Sequence, residues 1–383
     1  MQNRKNVFCS LGNNFGYKVS PYIQYIIPTH TDSSSNKRRP KEVPNFDVEY
    51  KTKCKGNWRT SYSELHRNSL ETSKIYLVFK CSKAGWGNRV RALLSSFHLA
   101  IISKRAFIID CPQPSPLEKY LQPNLIKWNH KINMTGLTAR FRNPKFESFG
   151  AGGFKKTDFE TDLTNAVEGI HGFYGTFYKD LKQNPKYNLP NSHLLLGCSF
   201  YFLFKKSKYL EKNIKQARHY LGFEDNIVLG IHIRRGDISF NHNRGDIRIE
   251  KVESTDNYFS CAEKIEKCIQ EKYNTKKIIW FLASDSVEIK QYAEKKYPGK
   301  IRQLHGPVEH VGHPRRGNED AGHLSMFLDL FLLQQSDFRL FGRNSTFPAS
   351  ITIITMGKAN AGLVSLNRET KTYSCTLPSS FKT

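Results

Sequence analysis

Residues Val228 to Asp237 read Val-Leu-Gly-Ile-His-Ile-Arg-Arg-Gly-Asp. An apolar, β-branched run stops at two adjacent arginines, a glycine and an aspartate. A buried strand of an open α/β sheet has this pattern, with polar groups at its carboxyl end, where such sheets bind ligands. A guanidinium is planar, permanently charged and forks onto phosphate oxygens. Arg234 and Arg235 together fit a diphosphate. A surface strand end with an ordinary pair to Asp237 fits the same residues, and the pattern alone leaves both readings open.

Asp329 is a lone carboxylate in the apolar run Leu324 to Leu333. A charge there is costly unless paired. Its two acceptor oxygens suit a ligand with two donors on one edge, which guanine has and adenine and uracil lack. The plain alternative is an ion pair with Arg343. Ser345, Thr346 and Phe347 follow a strand and precede a helix that opens at Pro348. Hydroxyls and free N–H groups there suit a phosphate, and a helix cap uses the same groups. The turn Gly85-Trp86-Gly87-Asn88-Arg89 permits close backbone approach through its glycines, and Asn88 can donate toward a sugar. Asp285, after Leu282-Ala283-Ser284, either orients the loop beyond its strand or caps the next helix beside Ser286.

His232-Ile233-Arg234-Arg235-Gly236-Asp237 resembles the His-x-Arg-Arg-x-Asp motif of the α1,2-, α1,6- and protein-O-fucosyltransferase superfamily. Gly85 to Ala92 resembles its amino-terminal Gly-x-Gly-Asn-[Arg/Gln] turn, Leu282 to Asp285 its second motif, and Asp329 to Phe347 its third. Four blocks in the right order are specific where one alone is not. Trp86 in the turn, and Arg-Gly-Asp in place of Arg-Thr-Asp, depart from the pattern.

The resemblance implies a GT-B-like α/β fold, two Rossmann-like domains facing across a cleft. It implies inverting, metal-independent transfer of L-fucose from GDP-β-L-fucose to a glycan, forming an α-linkage, with no cofactor. Arg234 then holds the β-phosphate, Arg235 shapes the same pocket, His232 lies near base or ribose, and Asp329 reads guanine. The catalytic set is Arg234, Arg235, Asp237 and Asn88. The binding set is Gly85, Gly87, Asn88, Arg89, His232, Arg234, Arg235, Asp285, Asp329, Ser345, Thr346 and Phe347.

The residue chemistry agrees. Such a transfer passes through an oxocarbenium-like state with a departing diphosphate. Many sugar transferases neutralise it with a metal on an Asp-x-Asp motif, but no two aspartates here stand two apart, and the thirteen histidines form no ligand-spaced set. Preorganised arginines can supply that charge. For the acceptor base, Asp237, Asp246, Glu250, His242 and His310 all stay open.

These residues must be positioned by a repeating α/β pattern. A strand at 75–79 precedes the glycine turn. Val90, Leu93, Leu94, Phe97 and Ile101 recur at helical spacing, and a strand follows at 106–110. The region from about 112 to 200, rich in aromatics, Pro, Gly and Asn, shows no clear order. A helix at 206–221 leads into strands at 227–233, 277–283, 301–304 and 339–341, alternating with helices at 256–273, 287–297, 320–335 and 348–356. The expected division is a poorly ordered segment 1–70, an acceptor-side Rossmann-like domain 71–204, and a GDP-fucose-binding domain 205–383.

With 383 residues, 38% hydrophobic and 24% charged, the chain can bury a large core. Its formal charge of +25 attracts anions. The lysines at 205, 206, 208, 212, 215, 290, 295 and 296 read as solvated helix faces, and no recognition helix or RNA-binding signature accompanies them, so no nucleic-acid partner is expected. Of the eight cysteines, none form Cys-x-x-Cys, and Cys261 and Cys268 lie too far apart along one helix to bridge each other. Two sequons occur, at Asn133 and Asn344; the second reads as a chance match and the first points weakly to a secretory lumen. No run approaches the ~20 apolar residues of a membrane span. The expected location is the Golgi lumen, with the anchor missing from this chain, or alternatively the cytoplasm. Two rivals remain. One is a non-catalytic basic module for anionic glycan or nucleic acid on a decayed transferase fold, which need not keep Arg234 and Asp329. The other is a sulfotransferase-like nucleotide enzyme, which needs a phosphate loop longer than Gly85 to Arg89.

Overall fold

Strands apolar at nearly every position need cover on both faces, and such strands assemble into parallel sheets flanked by helices. The computed structural model describes residues 46–142, 155–172, 183–184, 186, 193–236, 239, 249, 251–306, 319–343, 345–357, 360–367 and 372–381, and contains two such sheets. Helices α1 (Phe46–Lys53) and α2 (Trp58–Asn68) come first. The first sheet follows from β1 (Tyr76–Cys81), α3 (Trp86–Ile102), β2 (Ala106–Asp110), β4 (Ala139–Arg142) and β5 (Val167–Gly172). Its order is β2-β1-β5-β4, parallel throughout. A small antiparallel ribbon pairs β3 (Leu121–Pro123) with β6 (Phe204–Lys206), which directly follows α4 (His193–Leu203).

Helix α5 (Lys208–Tyr220), capped by the Ser207 hydroxyl accepting from the Leu210 N–H, leads into the second sheet. Here β7 (Ile227–Ile233), α6 (Asp256–Tyr273), β8 (Ile278–Ser284), α7 (Val287–Lys296) and β9 (Ile301–Arg302) alternate. They continue into α8 (Glu319–Gln334), β10 (Phe338–Gly342), α9 (Phe347–Ile354), β11 (Ala361–Leu366) and β12 (Tyr373–Thr376). The order is β12-β11-β10-β7-β8-β9, with only β12 antiparallel to its neighbour. In the first sheet, β2 lies on one side of β1 and the later strands on the other. In the second, β8 and β9 lie on one side of β7, and β10 and β11 on the other. Each sheet thus has a topological switch point, between β1 and β5 and between β7 and β10, where crevices for ligands form.

The pleat sorts the second sheet into two faces. Ile227, Leu229, Ile231 and Ile233 of β7 join a core with Phe259, Ile265 and Ile289 from α6 and α7. The opposite face joins a larger core through Val228, Phe281 and Ala283, together with Phe327, Leu330 and Ile351. That core continues without a break through Leu77, Phe79, Trp86, Val90, Leu93 and Phe97 of the first sheet and α3.

Specific contacts fasten this junction. Trp86 is buried and meets the Phe327 ring edge-on, with centroids 4.9 Å apart. Tyr120 stacks on Phe327 at 5.1 Å and donates from its hydroxyl to the Asp320 carbonyl at 2.9 Å. Ser115 Oγ and His323 Nδ1 share a hydrogen bond of 3.0 Å. Tyr201 donates to the Ile354 carbonyl at 2.7 Å. Disulfides tie Cys54 to Cys198, Cys81 to Cys111 and Cys261 to Cys375, and Cys268 is buried.

Three sequence expectations are corrected. The segment read as poorly ordered carries α1 and α2 over residues 46–68, because Tyr50, Cys54 and Tyr62 are buried in the main core and Cys54 is bridged to α4. The aromatic region from 112 to 200 supplies β5, which lies in the middle of the first sheet beside β1. Lys290 is no solvated lysine: it is buried and its ammonium donates to the Leu304 carbonyl at 3.0 Å.

Removing the Trp86 ring leaves a void against Phe327 at the centre of the shared core. Trp86→Ala is expected to cost about 3–5 kcal/mol in urea unfolding; a loss under about 1 kcal/mol would show that the ring does not fasten the two sheets.

Candidate functional site

Strand β7 and the two residues after it bring His232, Arg234 and Arg235 to the carboxyl end of the sheet at the β7–β10 switch point. His232 stands opposite Phe341 of β10 and Ala283 of β8, on the face that carries the larger core. It is buried and stacks on Phe347 at 5.0 Å with 23° between the rings. Burial, with the Arg234 charge adding to it, lowers its pKa to about 3, so the ring is neutral at physiological pH. Its Nδ1 has no partner. A neutral, stacked imidazole of this kind supports Phe347 and the loop it opens; it makes a poor general base.

Arg234 leaves the strand and donates from Nη1 to Asp285 Oδ2 at 2.7 Å. Asp285 then accepts from the Arg235 N–H at 2.6 Å and the Gly236 N–H at 3.0 Å. One carboxylate at the end of β8 therefore fixes both the guanidinium and the backbone after β7. Burial pushes the Asp285 carboxyl above its usual value, opposed by the Arg234 charge and these N–H donors. Of the two roles open from sequence, Asp285 orients, and Ser286 caps α7 by accepting from the Ile289 N–H at 3.3 Å. Arg234 keeps 22% of its side chain exposed. Arg235 turns toward α7, pairing with Glu288 at 3.0 Å and donating to Ser286 Oγ at 3.3 Å. The two arginines therefore point to different partners and do not form a twin fork.

The loop after β10 follows the strand that pairs with β7 on the side away from β8. Ser345 Oγ accepts from the Phe347 N–H at 3.4 Å, and Thr346 is the N-cap of α9 without a side-chain cap bond. Gly87, from the first sheet's turn, packs directly on this loop. A Cβ at Gly87 would stand 2.3 Å from the Thr346 carbonyl oxygen and 2.7 Å from the Phe347 nitrogen. The glycine is there for close approach, within the first turn of α3. Gly85 is the α3 N-cap, and Asn88 is half-buried beside the same junction. Arg89, expected to bind substrate, is instead buried and donates to the carbonyls of Ala84 (2.8 Å) and Gln113 (2.9 Å), so it holds the turn in place.

Asp329 lies on α8, half-buried, with its Oδ1 fully buried and without a hydrogen-bond partner among the described residues. Burial raises its pKa to about 6, and the nearby Lys290 charge pulls the other way. Arg343, the partner open from sequence, is exposed and its N–H binds the Val364 carbonyl at 3.0 Å. A buried acceptor without a protein donor is what a ligand with a buried donor edge would complete. Lys290 is the electrostatic neighbour that sequence reading missed, since its helix position looked solvated. Asp237, Asp246, Glu250, His242 and His310 lie outside the described residues. Among the described residues, no helix is long and apolar enough to cross a membrane.

Comparison with known proteins places this geometry in a fold class. No family model and no curated protein matches the sequence. Solved structures do. An arginine-to-lysine variant of Arabidopsis thaliana FUT1 in complex with GDP aligns over 90% of this chain and 85% of its own, with a TM-score of 0.55 and 13% identity. NodZ α-1,6-fucosyltransferase soaked with GDP-fucose covers 79% of this chain and all of its own (100%), with a TM-score of 0.49 and 12% identity. POFUT1 in complex with GDP-fucose covers 73% of this chain and 94% of its own, with a TM-score of 0.40 and 14% identity. The chain has the GT-B fold, two Rossmann-like units facing across a cleft, as the sequence led one to expect.

A raised carboxyl pKa has a definite linkage sign. Between the ordinary aspartate value and about 6 the folded state binds the proton more tightly than the unfolded state, so this group's contribution to stability falls as pH rises through that window. Asp329→Asn is therefore expected to raise the stability of the ligand-free protein at pH 7 by on the order of 2 kcal/mol and to flatten its pH dependence between about 4 and 6. Thermal melts across that range check it; a variant that melts lower than the parent at pH 7 would mean Asp329 is paired and stabilising.

Proposed function

We propose that this chain is a glycosyltransferase that moves L-fucose from GDP-β-L-fucose to a glycan with inversion and without a metal. The observation that carries the reading is Arg234, fixed by Asp285 just beyond the carboxyl end of β7, beside the β7–β10 switch in strand order. Leaving of a diphosphate builds negative charge beside the anomeric carbon. A guanidinium already aimed at that place lowers the barrier without reorganising. The Ser345 and Thr346 hydroxyls would add donors on the other side of the leaving group. Guanine would place its two donors on the Asp329 carboxylate and relieve the orphaned Oδ1. Phe347, backed by His232, would lie against the nucleoside. Asn88 would face the sugar or acceptor from the α3 side. The fold shared with FUT1, solved with GDP, supports the donor class. The disulfides support an oxidising compartment such as the Golgi lumen.

The alternative of a non-catalytic basic module would leave the Arg234–Asp285 pair and the orphaned Asp329 acceptor without a purpose. Calorimetry with GDP, UDP and ADP separates the two. GDP is expected to bind at least about tenfold tighter than either, and Asp329→Asn to lose about 1.5–3 kcal/mol of GDP affinity; equal binding of all three nucleotides would sink the guanine assignment.

Arg234→Lys keeps the charge but loses the fork. Turnover with GDP-fucose is expected to drop on the order of a hundredfold, while the melting point moves little because Asp285 retains the Arg235 and Gly236 N–H donors. Turnover within a fewfold of the parent would remove Arg234 from the mechanism. Activity is expected to survive EDTA; loss in EDTA that manganese restores would overturn the metal-independent reading.

A further inference from the structure

The two segments that meet at the Gly87–Thr346 contact carry cations that the donor chemistry does not use. Between Ser82 and Arg91 the chain holds Lys83, Arg89 and Arg91 and no acid, and between Gly342 and Phe347 it holds Arg343 and no acid. Arg89 is buried and taken up by carbonyls. The other three face outward: Lys83 and Arg343 are exposed and Arg91 is half-buried. Among the described residues, no hydrogen bond or ion pair takes up these three side chains.

Their placement follows from the chain. Lys83 follows β1 and Arg343 follows β10, so both stand at the carboxyl ends of their sheets. Arg91 lies one helical turn beyond Gly87 on α3, and helical side chains lean back toward the amino terminus, here toward the junction. Gly87 touches the Thr346 loop, which brings all three within a few residues of one contact. The carboxylates at the carboxyl ends of β2 and β8 and on the first turn of α7 have cations of their own: Asp110 pairs with Lys80, Asp285 with Arg234 and Glu288 with Arg235. The amino ends of α3 and α9 add partial positive charge to the same place. Local excess charge here runs in the same direction as the whole chain's +25.

We infer that this rim is the acceptor subsite and that the acceptor is an anionic oligosaccharide, bearing carboxylate or sulfate groups. The inference rests on the transferase reading above and deepens it. Two of the three cations belong to the first sheet's unit, Lys83 just after β1 and Arg91 on α3, whereas the donor is assigned to the second sheet. They are positioned to meet the acceptor as it approaches. Exposed charges of this kind raise local concentration of an oppositely charged ligand and lose their effect in salt.

The test uses the whole chain, GDP-fucose, and three oligosaccharides of matched length: neutral, uronate-containing and sulfated. Donor hydrolysis without acceptor is read in parallel. The charged acceptors are expected to show a KM about tenfold or more below the neutral one at low salt, with the gap closing at high salt; the two charged arms show which anion is preferred. K83A and R343A are each expected to raise KM for the charged acceptor about two- to fivefold, with donor hydrolysis and the neutral-acceptor KM unchanged. Charge reversal at both positions should exceed the sum of the two. A neutral acceptor used equally well, a change confined to donor KM, or single-stranded DNA competing as well as the charged glycans would overturn the inference while donor hydrolysis still stood. Absence of both GDP binding and donor hydrolysis would instead remove the transferase reading, and the acceptor subsite with it.

Discussion

The arrangement depends on one close approach, the Gly87 backbone lying against the Thr346 carbonyl and the Phe347 N–H. A side chain of any size at position 87 would part the two loops. Everything that gives the crevice its shape is set from that contact outward. Trp86, one residue earlier, goes into the core against Phe327, and Arg89, two residues later, pins the turn to the Ala84 and Gln113 carbonyls. On the other side, Phe347 rests on His232. The turn that looks permissive in sequence is held at every residue around its glycine.

Electrostatics complete what packing begins. Asp285 receives one guanidinium and two backbone N–H groups, so a single buried carboxylate decides where β7 ends and which way Arg234 points. Asp329 shows the opposite condition, a carboxylate whose burial is uncompensated at Oδ1. One acid spends its hydrogen-bonding capacity on the protein, and the other keeps it in reserve. Their sequence surroundings differ in kind: Asp285 follows a strand and stands beside a serine cap, whereas Asp329 interrupts an apolar helix.

Much of the second sheet was legible from sequence because its elements carry strong periodic signals. The strand at 227–233 and the helix at 256–273 match the structure residue for residue. The first sheet was legible only at β1, α3 and β2. Strand β5 escaped because Val167 to Gly172, Val-Glu-Gly-Ile-His-Gly, has two glycines and two polar residues; it is a central strand through its neighbours, with Glu168 buried against Arg142. Helices α1 and α2 escaped because their stability comes from the core and the Cys54–Cys198 bridge, which no local pattern reveals. At the site, residue types were visible but partners were not. Arg235 and Arg89 look like ligand-facing cations in sequence, yet Glu288 and two carbonyls claim them. Lys290 looks solvated, yet it is buried near Asp329.

The unbroken core that runs from β1 and α3 through to β7 and α8 has a thermodynamic meaning. Two units that share a hydrophobic interior do not have separate free energies of folding. Neither half, cut at the α4–α5 junction, can bury Trp86 or Phe327 alone, so loss of one unit exposes apolar surface of the other, and the stabilities of the two are coupled through this core.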